Sequence, residues 1–124
     1  WSKMISQSAM ASITALTRLD LGPLRENPHS RQLFNDAMEE AEAVGRAAVP
    51  DLPDGLIEAN WAFLDRLPRE MHASMLDDLN RGRRIEVDAL SGDIVRIGAL
   101  HGVPTPIHQV FWAALQPFVN GAPS

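Results

Sequence analysis

The most informative segment of the sequence is residues 74–106, which read SMLDDLNRGRRIEVDALSGDIVRIGALHGVPTP. It predicts a short helix, a break at Gly82, a long helix and a sharp stop. Apolar residues in the long helix recur at alternating steps of three and four: Val87, Leu90, Ile94 and Ile97. That spacing is typical of one buried helix face. His101 and Gly102 suit a last turn and the left-handed residue after it, and Pro104 prevents continuation.

Helical spacing continues through the rest of the chain, and no segment alternates with a period of two, so we predict no strands. The other predicted helices cover residues 1–18, 28–49, 54–66 and 106–119, with a shorter helix from Pro68 that holds Met71, Met75 and Leu79. Residues 20–27 are predicted as a loop because Gly22 and Pro23 interrupt the pattern. The predicted fold is an all-α single domain of about five to seven helices, with the long helix at its centre.

Three polar residues are predicted to cap helix starts, namely Asn27 before Pro28, Asp54, and Thr105 before Pro106. The helix over residues 54–66 is apolar on more than one side, so we expect it deep in the bundle. The last helix is expected to bury six apolar residues: Ile107, Val110, Phe111, Ala114, Leu115 and Phe118. Three acidic residues of the second helix are expected to point away from its buried side: Glu39, Glu40 and Glu42.

Composition narrows the class of protein. With 124 residues the chain fits one domain, and its net charge of −5 with scattered basic residues favours neither a nucleic acid nor an anionic membrane as partner. The absence of cysteine excludes disulfides, thiolate chemistry and cysteine-ligated metals. No apolar run reaches the length of a membrane span, and no signal-peptide pattern is present, so we expect a cytoplasmic protein.

The first residues suggest a piece of a longer polypeptide. The chain has no initiator methionine and opens on Trp1 inside a predicted helix. A dinucleotide-binding domain needs a strand, a glycine-rich turn and a helix, and no G-x-G-x-x-G follows a strand-like run here. A second domain of that kind would therefore have to come from sequence outside this chain.

Residues 74–106 also carry a family resemblance. Its motifs, in order along the chain, are SML, D, L, RGR, E, D, L, G, VR, G and HGVPTP. In this order and spacing, they resemble the C-terminal domain of the ketopantoate reductase (2-dehydropantoate 2-reductase) family. A weaker resemblance extends from Trp1-Ser2-Lys3 through the final helix, so it covers nearly all of residues 1–124. The resemblance implies an enzyme that reduces a 2-oxo acid with NADPH, bound mainly by an N-terminal Rossmann domain absent from this chain. The isolated domain is then expected to be inactive.

The resemblance assigns catalytic roles to Lys3 and Glu86. Lys3 matches the lysine of the family's W-x-K, which is the catalytic acid and base, and Glu86 matches a carboxylate close to that lysine and to the substrate. The residues alone allow plainer interpretations. Lys3 suits a solvated position near a chain end, and Glu86 suits the first turn of the long helix, where the helix dipole favours an acid.

Substrate binding is implied for Ser74 and Gln7. Ser74 matches the serine before M-L that hydrogen-bonds the substrate, although a helical serine also bonds a carbonyl one turn back. Gln7 stands where the family usually has an asparagine, and two further family asparagines are replaced by Leu21 and Met71. Because these two side chains are apolar, we expect a substrate with a more apolar tail than ketopantoate.

Other groups of residues give weaker signals. The four histidines lack metal-ligand spacing, so we predict no metal site. Asp77-Asp78 suits a solvated helix face, and the arginines near Gly82 suit either a charged turn or an anion such as the cofactor's extra phosphate. The alternative to an enzyme domain is a non-catalytic helical interaction or dimerisation module. Both interpretations allow a homodimer.

Overall fold

The computed structural model describes residues 1–123, and among these residues it contains helices and no strand. The α-helices are α1 (Ser2–Thr17), α2 (Leu21–Glu26), α3 (Pro28–Ala48), α4 (Leu56–Leu64), α5 (Ser74–Asn80), α6 (Ser91–His101) and α7 (Pro106–Leu115). One short 3-10 turn lies between α5 and α6 (Val87–Ala89), and another directly follows α7 (Gln116–Phe118). The all-α fold and the number of helices are confirmed.

The central helix is α1, which packs against α3, α4, α5, α6 and α7. Between residues 5 and 15 every α1 residue is buried except Gln7 and Met10. These two residues are three apart, so they share one side of the helix. Helix α1 therefore lies in the core on all sides but one, and that open side borders the clefts described below.

The predicted long helix does not exist as one element. It is divided at Leu90, which has φ −112° and ψ −96°, into the 3-10 turn Val87–Ala89 and the 11-residue α6. Ser91 and Gly92 follow the break, and both are weak helix formers in a helix interior. Val87 and Ile94 are still fully buried, so the apolar spacing identified the core face but not the break. The longest helix is α3, with 21 residues.

Residues 20–27, predicted as a loop, contain α2. The N–H groups of Leu21 and Gly22 donate to the carbonyls of Met71 and Arg69, over 2.8 and 2.9 Å, and Pro23 has no N–H to satisfy. Glycine and proline are tolerated here because they occupy the first turn, whose donors have no partner within the helix. The same bonds occupy the carbonyls before Ser74, so the helix predicted from Pro68 begins only at Ser74.

The predicted caps hold at one helix and fail at two. The Asn27 side chain accepts from the N–H groups of His29 and Ser30, with Pro28 in the first turn, as expected. Gly55, with φ +77°, precedes α4 in place of Asp54. At α7 the Thr105 side chain makes no capping hydrogen bond.

Glu40 of α3 caps α7 instead. Its two carboxylate oxygens accept from the N–H groups of Ile107 and His108, over 3.0 and 2.8 Å. A negative charge at a helix N-terminus is favourable, so this contact fixes α7 on α3. Glu40 is half-buried and contacts α7, which corrects the expectation that it points away from the buried side of α3.

Two predicted faces are wrong. Phe63 of α4 is 52% exposed, so that helix lies at the surface on one side rather than deep in the bundle. In α7 the buried residues are His108, Phe111 and Leu115, whereas Val110 is 63% exposed. A polar residue lies on the core face of α7, which counting apolar residues alone does not detect.

Candidate functional site

An open cleft of about 440 Å³ lies between the exposed side of α1, the start of α5 and the segment before α6. Its wall combines Gln7, Met10 and Ala11 of α1 with residues of the other two elements: His72, Ala73, Ser74, Met75, Asp78, Glu86, Ala89 and Leu90. The lining includes apolar side chains, such as Met10, Met75 and Leu90, and polar ones, such as Gln7, Ser74 and Glu86. That combination is typical of small-molecule sites.

Three of the four site residues predicted from the sequence line this cleft. Gln7, Ser74 and Glu86 come from separate parts of the chain, and the fold brings them together. Lys3 lines a second groove with Ser6, Phe63 and Leu64, and Gln7 and Met10 belong to both walls. Because two residues border both spaces, the Lys3 groove adjoins the cleft.

The local structure explains why these polar groups face outward. Glu86 lies between Ile85 and Val87, which are 5% and 0% exposed, and the two buried neighbours leave the Glu86 side chain on the solvent side. Ser74 is exposed at the first position of α5, and the buried Met75 follows it. Glu86 and Ser74 therefore each have a buried neighbour in the sequence, which holds that segment against the core.

The cleft is acidic. Asp78 and Glu86 line it, and among the residues lining this part of the described chain no lysine or arginine occurs. Arg83 Nη1 lies 4.0 Å from Asp78 Oδ1, but Arg83 does not line the cleft. Lys3 is the chain's only lysine, so the adjoining groove contains the only primary amine of any side chain in the sequence. An anion is therefore attracted to the Lys3 groove more than to the Glu86 wall.

His72 is a cleft residue that the sequence reasoning missed. Its Nδ1 lies 2.8 Å from Asp20 Oδ1 and its Nε2 lies 2.8 Å from Asp77 Oδ1. The hydrogen bond to Asp77 is the largest cause raising the pKa of His72, and the bond to Asp20 adds to it. The sequence signal was modest, namely a histidine two positions before Ser74 and acidic residues some distance away.

The structure corrects the expected role of Leu21 and weakens that of Met71. The Leu21 side chain is fully buried in the core, and neither residue lines the cleft. Met71 instead accepts the Leu21 N–H with its carbonyl. The enclosed Leu21 side chain cannot select the tail of a substrate by contact, and Met71 is exposed but lies outside the cleft wall, so neither position supports a more apolar substrate.

A second polar cluster, around His108, is buried and separate from the cleft. His108 Nε2 lies 2.9 Å from the Ala37 carbonyl, which can only accept, so Nε2 carries the proton. Nδ1 is then the acceptor for the Ser91 hydroxyl at 3.1 Å, and Ser91 accepts from Ser12 at 2.6 Å. Burial lowers the pKa of His108 to about 4, which keeps the ring neutral. The cluster resembles a serine–histidine pair but is closed to substrate.

Residues 1–123 contain no group of three or more potential metal ligands. Within the same residues, none of the helices combines the length and the apolar character needed to cross a lipid bilayer. Arg81, Arg83 and Arg84 are exposed on the turn around Gly82, outside the wall of the cleft.

These features define an all-α domain built around one central helix, with an open acidic cleft and a lysine in the groove beside it. The chain belongs to the family described as the C-terminal domain of ketopantoate reductase PanE/ApbA, which it matches over residues 1–118. The family expectation from residues 74–106 is confirmed.

Similar proteins agree with this assignment. The chain is 33% identical over 111 residues to the 2-dehydropantoate 2-reductase of Aquifex aeolicus, covering 86% of this chain and 36% of that protein. A PanE/ApbA family ketopantoate reductase from Ralstonia eutropha has 36% identity and a TM-score of 0.85, covering 95% of this chain and 39% of that one. The dimeric ketopantoate reductase of Staphylococcus aureus has 25% identity and a TM-score of 0.87, with 95% and 41% covered. The chain thus spans about two-fifths or less of these relatives.

Proposed function

We propose that this chain is the C-terminal, substrate-binding domain of an NADPH-dependent enzyme that reduces a 2-oxo acid, either ketopantoate or a related acid. One observation carries the proposal: Gln7, Ser74 and Glu86 converge on one cleft, beside the groove that contains Lys3. Gln7 lies far from Ser74 and Glu86 in the sequence, and the fold brings it to the same cleft. The proposal also agrees with the family to which the chain belongs.

Lys3 is proposed to donate the proton that the reduced carbonyl oxygen requires. A lysine ammonium has three donors and a flexible stem, so it can contact both the oxygen and the neighbouring carboxylate of a 2-oxo acid. The Glu86 carboxylate, on the wall of the adjoining cleft, is proposed to attract the ammonium group toward the bound substrate. Ser74 and Gln7 supply hydrogen bonds to the polar groups of the substrate.

The charges favour one orientation of the substrate. The carboxylate end of a 2-oxo acid is repelled by Asp78 and Glu86 and attracted by Lys3. The keto acid end is therefore proposed to lie in the Lys3 groove, with the tail toward Ser74 and Glu86. Around the tail lie Met10, Met75 and Leu90 with carboxylate acceptors, which suits a branched carbon skeleton that bears a hydroxyl group.

The residues present do not fit the pyrophosphate of a dinucleotide. Among residues 1–123 there is no strand, and hence no strand, glycine-rich turn and helix that could hold it. NADPH is therefore proposed to bind to another part of the full-length protein, where it supplies the hydride. On the same ground the isolated chain is proposed to be catalytically inactive.

The test is the turnover of the full-length protein that carries this chain. NADPH oxidation is followed with ketopantoate and with other 2-oxo acids, in wild type and in Lys3→Ala. We expect Lys3→Ala to lower kcat by about 10²–10⁴, the effect of losing a general acid. Arg96→Ala, which removes an exposed positive charge from α6, is the matched control and should keep wild-type kcat.

Two outcomes contradict the proposal. Equal kcat in wild type and Lys3→Ala removes the proposed role of the lysine. A wild-type protein that reduces no 2-oxo acid, and whose gene has no glycine-rich strand, turn and helix before Trp1, favours the helical interaction or dimerisation module.

A further inference from the structure

The hydrogen bonds of His72 identify its charge state. Both ring nitrogens face carboxylate oxygens at 2.8 Å, from Asp20 on one edge and Asp77 on the other. A carboxylate oxygen accepts and does not donate, so both bonds form together only when the ring carries two N–H groups. The ring is therefore a cationic bridge between two anions.

The bridge connects the segment between α1 and α2 to the first turn of α5, and His72 itself lines the cleft. Asp20 immediately precedes α2, just beyond the end of α1, and Asp77 lies in the first turn of α5. The peptide before His72 is already fixed to α2, because Arg69 forms a two-fold hydrogen bond with Glu26 as well as the backbone bonds described above. His72 adds the side-chain connection that reaches from this fixed peptide to α5.

We propose that His72 is a positioning residue, and that its bridge holds Ser74 and the first turn of α5 at the spacing from α1 that substrate binding requires. The inference rests on the proposed function, because it concerns the substrate of the same cleft. Ser74 lies within the loop that the bridge closes, two residues after His72 and three before Asp77. A change in the bridge therefore acts directly on the backbone that carries Ser74.

His72 acts through Ser74 rather than on the substrate itself. Both of its N–H groups are engaged by carboxylates, so neither is free to protonate a substrate oxygen. Its positive charge is outweighed by Asp20 and Asp77, and the nearby cleft charges, Asp78 and Glu86, are also negative. The ring consequently offers an anionic substrate no net attraction.

The bridge depends on pH. When His72 loses its proton, one ring nitrogen becomes an acceptor that faces a carboxylate, and that hydrogen bond is lost. The pKa of His72 is raised, so the ring keeps both protons to a higher pH than an ordinary histidine, and the bridge opens as the pH rises through the raised value. We expect KM for the 2-oxo acid to rise about three- to tenfold over that range, the effect of one lost hydrogen bond, with little change in kcat.

The experiment uses the full-length protein with selectively labelled histidine, serine and methionine. NMR measures the titration of the His72 ring and of the Ser74 and Met75 amides, and steady-state kinetics measures KM and kcat over the same pH range. Asp77→Asn keeps an oxygen acceptor for Nε2 but removes the charge, so the ring, both amides and KM should all titrate at lower pH. His101→Gln, in the last turn of α6 and exposed, is the control and should match wild type.

The outcomes separate this inference from the proposed function. If the ring titrates but the Ser74 amide and KM do not follow it, His72 is not a positioning residue. If the wild-type protein reduces no 2-oxo acid, the proposed function fails. The titration of the Ser74 amide alone then decides whether His72 positions Ser74. In that case an amide that follows the ring, and that shifts with it in Asp77→Asn, supports the coupling, and an amide that does not titrate overturns it.

Discussion

His108 and His72 both have hydrogen-bond partners at each ring nitrogen, yet the two rings have opposite charge states. The partners of His108 are a carbonyl and a hydroxyl, and its side chain is fully enclosed. The partners of His72 are two carboxylates, and 27% of its side chain is exposed. Burial lowers the pKa of His108 to about 4, whereas hydrogen bonds to Asp77 and Asp20 raise the pKa of His72.

The difference shows that the number of hydrogen bonds does not decide the role of a histidine. The charge of the partners and the access of water decide which protonation state the fold stabilises. His108 is neutral and joins α7 to α6 and α3, while His72 is cationic, lines the open cleft and connects the segment before α2 to α5. The first ring should matter for folding and the second for the cleft.

The largest effect is expected from His108→Ala in the 124-residue chain. The substitution leaves a cavity in the core and removes the partners of Ser91 and of the Ala37 carbonyl. We expect the free energy of unfolding to fall by about 3–5 kcal/mol, measured by urea denaturation. His101→Ala, at an exposed position, should change it by less than about 0.5 kcal/mol. Similar losses in both variants would show that the His108 cluster has no special structural role.

A somewhat smaller effect is expected from acid. His108 has a pKa of about 4 in the fold against 6.5 for an ordinary histidine, so the unfolded chain binds a proton that the folded chain excludes. Its contribution to stability is complete above pH 6.5 and is lost as the pH falls to 4, up to about 3 kcal/mol. Urea denaturation from pH 7 to pH 4 measures the loss. His108→Gln, which cannot titrate, should show a shallower decline, and an equal decline in both proteins would contradict the assignment.

The smallest effect is expected from His72→Gln. Its bridge is partly exposed to water, and exposed ion pairs contribute about 0–1 kcal/mol, so the loss at pH 6 should stay within that range. The pH dependence has the opposite sign to that of His108. Because the pKa is raised in the fold, the contribution is complete below pH 6.5 and disappears as the pH rises through the folded value. Unfolding measured at pH 6 and at pH 9 tests this, and a difference that grows with pH would contradict the bridge.

Periodicity predicted the helices well because a helix buries one face, and the sequence records which residues do so. Asn27 and Pro28 also marked their helix start correctly, since this cap involves only residues that are close in the sequence. The failures share a different cause. Helix α2 depends on carbonyls of Met71 and Arg69, and the cap of α7 depends on Glu40, so both need a partner far away in the chain.

The predictions for the candidate site also failed where they depended on residues that are distant in the sequence. Gln7, Ser74 and Glu86 were assigned from a family pattern, which summarises folds already known, and the cleft brings them together. Leu21 was assigned from its aligned position, but its side chain points into the core. His72 was missed because its significance depends on Asp20 and Asp77, which only the tertiary structure brings to the ring.

The break at Leu90 bears on how this domain tolerates insertions and deletions. In one continuous helix, each residue added or removed after Glu86 would rotate everything beyond it by about 100° relative to the glutamate. Here Glu86 precedes a 3-10 turn, and α6 starts anew at Ser91. Because the 3-10 turn is not continuous with α6, the direction of Glu86 is set by its buried neighbours Ile85 and Val87 and not by the rotation of α6.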